Sequence, residues 1–342
     1  MSMLPIGDFV RHRVSRSQAS WGLTGTAFGP VPSRRLGRSL GINNIPPKVC
    51  TYSCAYCQVG HTVQMRSERQ AFYGSVAVAT EVRARVEEAR RAREPIDHLT
   101  FVPDGEPTLD VGLGPAIRLL RPLGIPVAVI TNGSLLSRPD VRAAVAEAAR
   151  VSVKIDTVRE ETWRRLNRPH RRLELAPILE GIQDFASAFT GVLTTETMLV
   201  ADVNDTPDEL RATADFVALL HPRTAYLSVP TRPPAAAWAR PPDEATVAGA
   251  YEIFAARHPW VETLLGYEGD AFSSTGDPVD DLLSITAVHP MREAAVRRML
   301  AQRGVPWATV QDLVEAGRLV PVRHGGHRYF VRSPTPEPWS AR

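Results

Sequence analysis

Cysteine is scarce in this chain. Three occur in 342 residues, at positions 50, 54 and 57, and an odd number inside one short window excludes a disulfide framework. A reducing compartment, with a metal or redox role for the thiols, is the reading left. Lysine is scarcer still: Lys48 and Lys154 stand alone among 40 basic residues. Arginine is used everywhere else, so a compact ammonium at those two positions is a hint of local demand. Long apolar runs are missing too, and none approaches the ~18 residues of a bilayer span. The opening MSMLPIGDFVRHRVSRSQ places charges where a signal peptide needs an apolar stretch, so the chain reads as cytoplasmic with no membrane partner. A net charge of +3 gives no bulk argument for nucleic acid. Repeats and low-complexity segments are absent.

What is present is alternation. Residues 1–32 have little periodicity and read as a basic arm, with Arg11, Arg13 and Arg16 against a lone Asp8. From there apolar runs of strand length alternate with amphipathic helical patterns. The candidate strands are 40–43, 98–102, 126–131, 150–155, 192–199 and 224–229; helices are expected at 78–93, 139–149, 175–189, 208–220 and 244–257. Six such repeats predict an α/β fold with parallel strands and helices outside, either a partial barrel or an open doubly wound sheet. A core over 33–276 is followed at 277–332 by three helical patterns and two short strands around Gly325-Gly326, a hairpin signal. That order predicts a winged-helix-like unit, and the tail 333–342 reads as disordered.

The chemistry concentrates in KVCTYSCAYC, residues 48–57. Three thiolates spaced C-x3-C-x2-C can hold three corners of an iron–sulfur cubane and leave the fourth iron open. Adding His61 would instead make a Cys3His zinc site. DGEPT, 104–108, follows the second strand. RVSVKIDT, 150–157, puts Ser152, Lys154 and Asp156 on one strand face and Val151, Val153 and Ile155 on the other. A wholly polar face in a parallel sheet implies a wet cavity. Asn132, in TNGSL, Glu196 and Met198, in TTETML, and Ser228 and Arg232, in SVPTRPP, sit where barrel strands end, the usual place for functional residues.

The three cysteines with Tyr56 as the aromatic before the last resemble the signature of the radical S-adenosylmethionine (radical SAM) superfamily. The resemblance implies a partial (β/α)6 barrel in which Cys50, Cys54 and Cys57 bind a [4Fe-4S] cluster and S-adenosylmethionine chelates its open iron. Reductive cleavage of that cofactor to a 5'-deoxyadenosyl radical, fed by a flavodoxin- or ferredoxin-type electron donor, is the implied activity. Tyr56 then packs by the adenine. Gly105 and Glu106 take the place of the family's Gly-Gly-Glu motif and accept hydrogen bonds from the cofactor's amine, although Asp104 departs from its first glycine. Asn132 faces the cofactor, and Ser152 and Lys154 lie near its ribose or carboxylate. Lys154, Glu196 and Arg232 are the candidate catalytic residues.

The segment FGPVPSRRLGRSLGINNIPPK, 28–48, resembles a branch related to wybutosine-type tRNA enzymes. Arg34, Arg35 and Arg38 in it can bind phosphate or carboxylate through their planar forks. A small molecule, peptide or natural-product precursor is the expected substrate. The alternatives are tRNA or another RNA, and transfer of a 3-amino-3-carboxypropyl group. From a different class comes a zinc-stabilised RNA-binding module without turnover. In the C-terminal unit the hairpin is basic, but the helix WATVQDLVEAG presents Asp312 and Glu315 and no cation, which opposes groove reading. A lid or docking role is expected instead.

Overall fold

The computed structural model describes residues 26–265, 272 and 277–333. Arg11, Arg13 and Arg16 of the expected arm, and the tail from 334, lie outside them. One eight-stranded sheet dominates. It is built from β1 (Ala27–Ser33), β2 (Gly37–Ile42), β5 (His98–Phe101), β6 (Val127–Thr131), β7 (Arg150–Lys154), β8 (Val192–Met198), β9 (Thr224–Ser228) and β10 (Val261–Leu264), side by side in that order. Between β2 and β5 the short strands β3 (Val49–Cys50) and β4 (Gln64–Met65) pair with each other. From β2 to β10 every neighbour in the large sheet is parallel, and β1 and β10 are its two edges. This is a partial barrel.

All six expected strands lie in that sheet, and their composition explains why. Val127, Ala128 and Val129, or Val151 and Val153, are buried as β-branched and small residues pack between two layers. β10 was not foreseen. Nor was β1, which the sequence assigns to an irregular arm because Pro30 and Pro32 interrupt it. It pairs antiparallel with β2 at the sheet edge, where proline is tolerated.

The helices on the outer layer are α1 (Ser75–Arg91), α2 (Leu113–Leu120), α3 (Pro139–Val145), α4 (Glu160–Asn167), α5 (Leu175–Ala188), α6 (Pro207–Leu219) and α7 (Glu244–Ala255). Their starts follow from local chemistry. Thr206 caps α6 by accepting from the Glu209 amide, with Pro207 in the first turn, and Asp243 accepts from the Thr246 amide at 2.8 Å to cap α7. Along α1, Val78, Val82, Val86 and Ala89 are buried at the spacing of one helix face. α2 and α4, each eight residues long, are not among the helices expected from the sequence.

The C-terminal unit comprises α8 (Pro278–Val288), β11 (Met291–Arg292), α9 (Glu293–Ala301), α10 (Ala308–Glu315), β12 (Leu319–His324) and β13 (His327–Arg332), its strands ordered β11-β13-β12. Gly325 and Gly326 take φ of 54° and 77°, as a two-residue hairpin turn of this twist requires. Leu282, Ile285, Met291, Met299 and Phe330 form its core together with Phe28 from β1. A packing boundary therefore does not fall at residue 32. Phe28 crosses β2 at Gly41, where an added Cβ would come within 2.0 Å of the ring. No helix among the described residues is long and apolar enough to cross a membrane.

Candidate active site

The three cysteines, all free, lie on β3 and the loop after it. That loop is fixed by main-chain bonds. The Lys48 amide donates to the Asp104 carbonyl at 2.7 Å, Glu106 N to Val49 O at 3.1 Å, and Cys57 N to Cys54 O at 3.1 Å. Val49 and Gly105 form a parallel bridge, and a Cβ on Gly105 would stand 1.9 Å from the Val49 carbonyl oxygen. Glycine in DGEPT is thus demanded by close backbone approach. The thiols border one cavity of about 280 Å³, together with both lysines of the chain and Tyr56, Glu106, Asn132, Glu196 and Arg232.

Burial pushes all three thiol pKa values up, Cys54 to about 12. Such groups ionise only against a bound cationic centre. Two amides aim at the sulfurs: Asn132 Nδ2 lies 3.7 Å from Cys50 Sγ, and Asn167 Nδ2 3.6 Å from Cys54 Sγ. Among the described residues no three Cys, His, Asp or Glu side chains converge on a single metal ion. His61, proposed as a fourth zinc ligand, is exposed and outside the cavity lining. Three thiols bordering one cavity, with His61 outside its lining, fit a multi-iron cluster with an open corner.

Glu106 is buried and fully engaged. Its carboxylate accepts from Thr108 N at 3.0 Å, Thr108 Oγ1 and Thr131 Oγ1 each at 2.6 Å, and Asn132 N at 2.8 Å. Burial still raises its pKa, the four donors acting the other way. The side chain ties the turn after β5 to the end of β6 and thereby aims Asn132, which also donates to Thr51 Oγ1 at 2.8 Å. Asp104, where the family has glycine, pairs with Lys48 at 3.4 Å. Burial lifts its pKa to about 7, against the pull of Lys48.

The polar face of β7 divides. Lys154 and Asp156 border the cavity but Ser152 does not. Ser152 lies one register level lower, opposite Thr194, whereas Lys154 sits opposite Glu196. Its buried Oγ has no partner among the described residues. Ser152, expected from sequence near the cofactor's ribose or carboxylate, is thus buried next to the cavity-lining residues without itself bordering the cavity. Asp156 is a hub. It accepts from the Tyr56 hydroxyl, from Asn167 Nδ2 at 2.7 Å and from Met198 N at 2.9 Å. Tyr56 is thereby latched to β7, its ring 4.8 Å from the Lys154 ammonium.

Lys154 Nζ lies 3.3 Å from Glu196 Oε1, and the same carboxylate pairs with Arg35 and accepts from Ser228 Oγ at 3.0 Å. Two cations thus share one carboxylate in the wall. Burial holds the Lys154 pKa below its ordinary value, with Asp156 opposing and Arg35 reinforcing. Arg232 bonds to Gln58, next to Cys57, and to His289 Nε2 at 3.0 Å. Gln58 in turn donates to the Val288 carbonyl at 3.0 Å. Gln58, Trp163, Asn167 and His289 were not marked by the sequence. Each is a lone residue without a motif, and only the NRP turn after α4 could have drawn attention to Asn167.

Comparisons with known proteins agree with this geometry. The model of the radical SAM superfamily matches residues 44–217, just over half of the chain. A UPF0026 protein of Methanocaldococcus jannaschii is 40% identical over 309 residues, which is 90% of this chain and 96% of that protein. A UPF0026 protein of Synechocystis is 35% identical over 208 residues, 60% of this chain and 76% of its own length. Among solved structures, TYW1 with a lysine-pyruvate adduct bound superposes with a TM-score of 0.53 at 14% identity, covering 75% of this chain and 91% of that one. At that identity the likeness is one of fold. With its cysteine triad on the cavity wall and inside the family match, this chain belongs to the radical SAM superfamily, an enzyme family that works with a [4Fe-4S] cluster and S-adenosylmethionine.

Proposed function

We propose that the protein cleaves S-adenosylmethionine reductively and uses the 5'-deoxyadenosyl radical to abstract hydrogen from a small-molecule, peptide or natural-product substrate. The observation that carries this reading is the meeting, on one cavity, of three free thiols, both lysines and the Arg35–Glu196–Lys154 cluster. Cys50, Cys54 and Cys57 would hold the cluster, which supplies the electron for cleavage. Asn132 and Asn167 donate to two of the sulfurs and so favour their thiolate form. Gly105, by its backbone, and Glu106, through the Asn132 it positions, shape the place for the cofactor's methionyl end. Lys154 and Arg35 offer cations to a carboxylate or phosphate, and Lys154, its pKa lowered by burial, is poised to hand over a proton. The lining also includes Leu175, Ile178, Leu179 and Ile182, whose apolar surface keeps water from a reactive carbon centre.

The C-terminal unit is, in this reading, a winged-helix-like lid. Val288 borders the cavity and His289 braces Arg232, while the exposed face of α10 carries Asp312 and Glu315, which repel phosphate. That placement favours a small substrate over RNA, and a cytoplasmic site suits the oxygen-sensitive chemistry. Anaerobic reconstitution with iron, sulfide, dithionite and S-adenosylmethionine is expected to release 5'-deoxyadenosine and methionine. Recovery of methylthioadenosine would replace the proposal with 3-amino-3-carboxypropyl transfer, and a fully loaded protein that leaves the cofactor intact would overturn both.

A further inference from the structure

The stretch Trp163–Leu173, WRRLNRPHRRL, contains five arginines and no carboxylate. It runs from the end of α4 directly behind the cysteine loop. Ala55 N donates to Leu166 O at 2.8 Å, Ser53 N to Asn167 O at 3.1 Å, and His170 N to Thr51 O at 2.8 Å. Tyr52 and Pro169 form an antiparallel bridge. One layer of chain therefore has two different sides. Trp163 and Asn167 face the cavity, and Asn167 reaches Cys54 Sγ. None of Arg164, Arg165, Arg168, Arg171 or Arg172 borders the cavity, and all but the half-buried Arg168 are exposed.

Two further features make this a surface rather than a scatter of charges. Arg164 pairs with Glu160 and Arg172 with Glu68, but Arg165, Arg168 and Arg171 have no carboxylate partner among the described residues. Arg165 and Arg168 flank the ring of Trp238 at 5.7 and 5.6 Å, and that ring is 37% exposed. The potential is felt locally: the His170 pKa is held below its ordinary value, by burial first and then by Arg172 and Arg171. Arginine beside a half-exposed tryptophan is the composition of an interface hot spot.

We infer that this arginine face is where an acidic one-electron carrier of the flavodoxin or ferredoxin type docks to reduce the enzyme. The inference rests on the proposed function, because a cluster that cleaves S-adenosylmethionine must be given an electron from outside. The donor is oxidised by one electron and the holo-enzyme is reduced by one, with no bond made or broken. The position of the arginines favours a redox protein over RNA. The segment that carries the arginines is hydrogen-bonded to the loop that holds the cluster ligands, through Leu166, Asn167, Arg168 and His170, and none of the arginines borders the chamber where a substrate base would have to enter. Opposite charge steers such short-lived encounters, whose interfaces are small and whose rates fall with salt.

The test uses reconstituted holo-enzyme, oxidised acidic flavodoxin and a [4Fe-4S] ferredoxin as probes, and the triple variant R165E/R171E/R172E, whose side chains are exposed. Wild type is expected to bind one of the carriers at low salt and lose it as salt rises. The triple variant is expected to bind about tenfold or more weakly, the matching R165K/R171K/R172K variant to retain binding, and carrier-supported cofactor cleavage to fall in step. Dithionite-driven cleavage is expected to stay within about twofold, since none of the three residues borders the cavity. Carrier affinity unchanged by charge reversal, or no carrier binding by wild type, overturns the inference. So does a variant that loses tRNA affinity while keeping the carrier, which would assign the face to RNA. Failure of dithionite-driven cleavage in wild type strikes the proposed function instead, and the binding measurement reads the docking face separately.

Discussion

At the scale of single residues, the site is governed by how burial is compensated. Cys54 has its thiol raised to about 12 by burial, and Asn167 supplies one of the few groups that favours the thiolate. Replacing Asn167 by Leu is expected to lower the iron and sulfide retained after reconstitution and gel filtration, while Cys54→Ala should abolish the loaded cluster's visible absorbance. Asp104 gives a pH prediction. Its folded pKa, pushed by burial to about 7, lies above the ordinary carboxylate value of 3.8, so the folded state holds the proton more tightly than the unfolded one. Its contribution to stability is therefore complete below pH ~4 and is lost as pH rises through ~7. Thermal midpoints measured across that window under reducing, anaerobic conditions should fall for wild type and flatten for Asp104→Asn. Lys48 and Lys154 were conspicuous in the sequence as the two lysines, and both reach the cavity. What could not be read was their partners, Asp104 and Glu196, because neither lies near its lysine in sequence.

At the scale of elements, periodicity carried the large sheet and most helices, and it failed where an element is short or its environment unusual. The alternation in RVSVKIDT correctly divides β7 into an apolar and a polar face. It cannot show which residues of the polar face border the cavity, since depth along a strand depends on register with β6 and β8. β1 was hidden by its prolines, and its Phe28 fills a core that belongs mostly to the C-terminal unit. Gly105 joins two elements by letting β3 touch the turn after β5. Gly105→Ala is expected to cost about 1–3 kcal/mol through that clash and to reduce cluster loading by moving the cysteine loop, as read by the denaturant midpoint and by iron content. A variant as stable and as fully loaded as wild type would show that the bridge between Val49 and Gly105 is not what holds the loop.

At the scale of the whole molecule, the C-terminal unit is part of the site. Gln58, Arg232, Val288 and His289 connect the cysteine loop, the end of β9 and the end of α8. A second tie, on the far side, pairs Arg85 of α1 with the fully buried Asp281 of α8. Arg85→Ala removes this ion pair from a buried carboxylate, at an expected cost of about 3 kcal/mol. The measurable result is a C-terminal unit that limited proteolysis releases earlier than in wild type, with a lower thermal midpoint.

The sequence by itself determined the three-thiol spacing, the repeated strand and helix pattern and the polar face of β7, because each is written in residues a few positions apart and obeys a local rule. Only the tertiary structure decided that Asn167, 113 residues from Cys54, donates to its sulfur. It alone brought His289 to Arg232 and laid an arginine strip behind the cysteine loop. Those meetings are products of chain closure and shared burial, and no short-range period encodes which distant segment fills the space beside another.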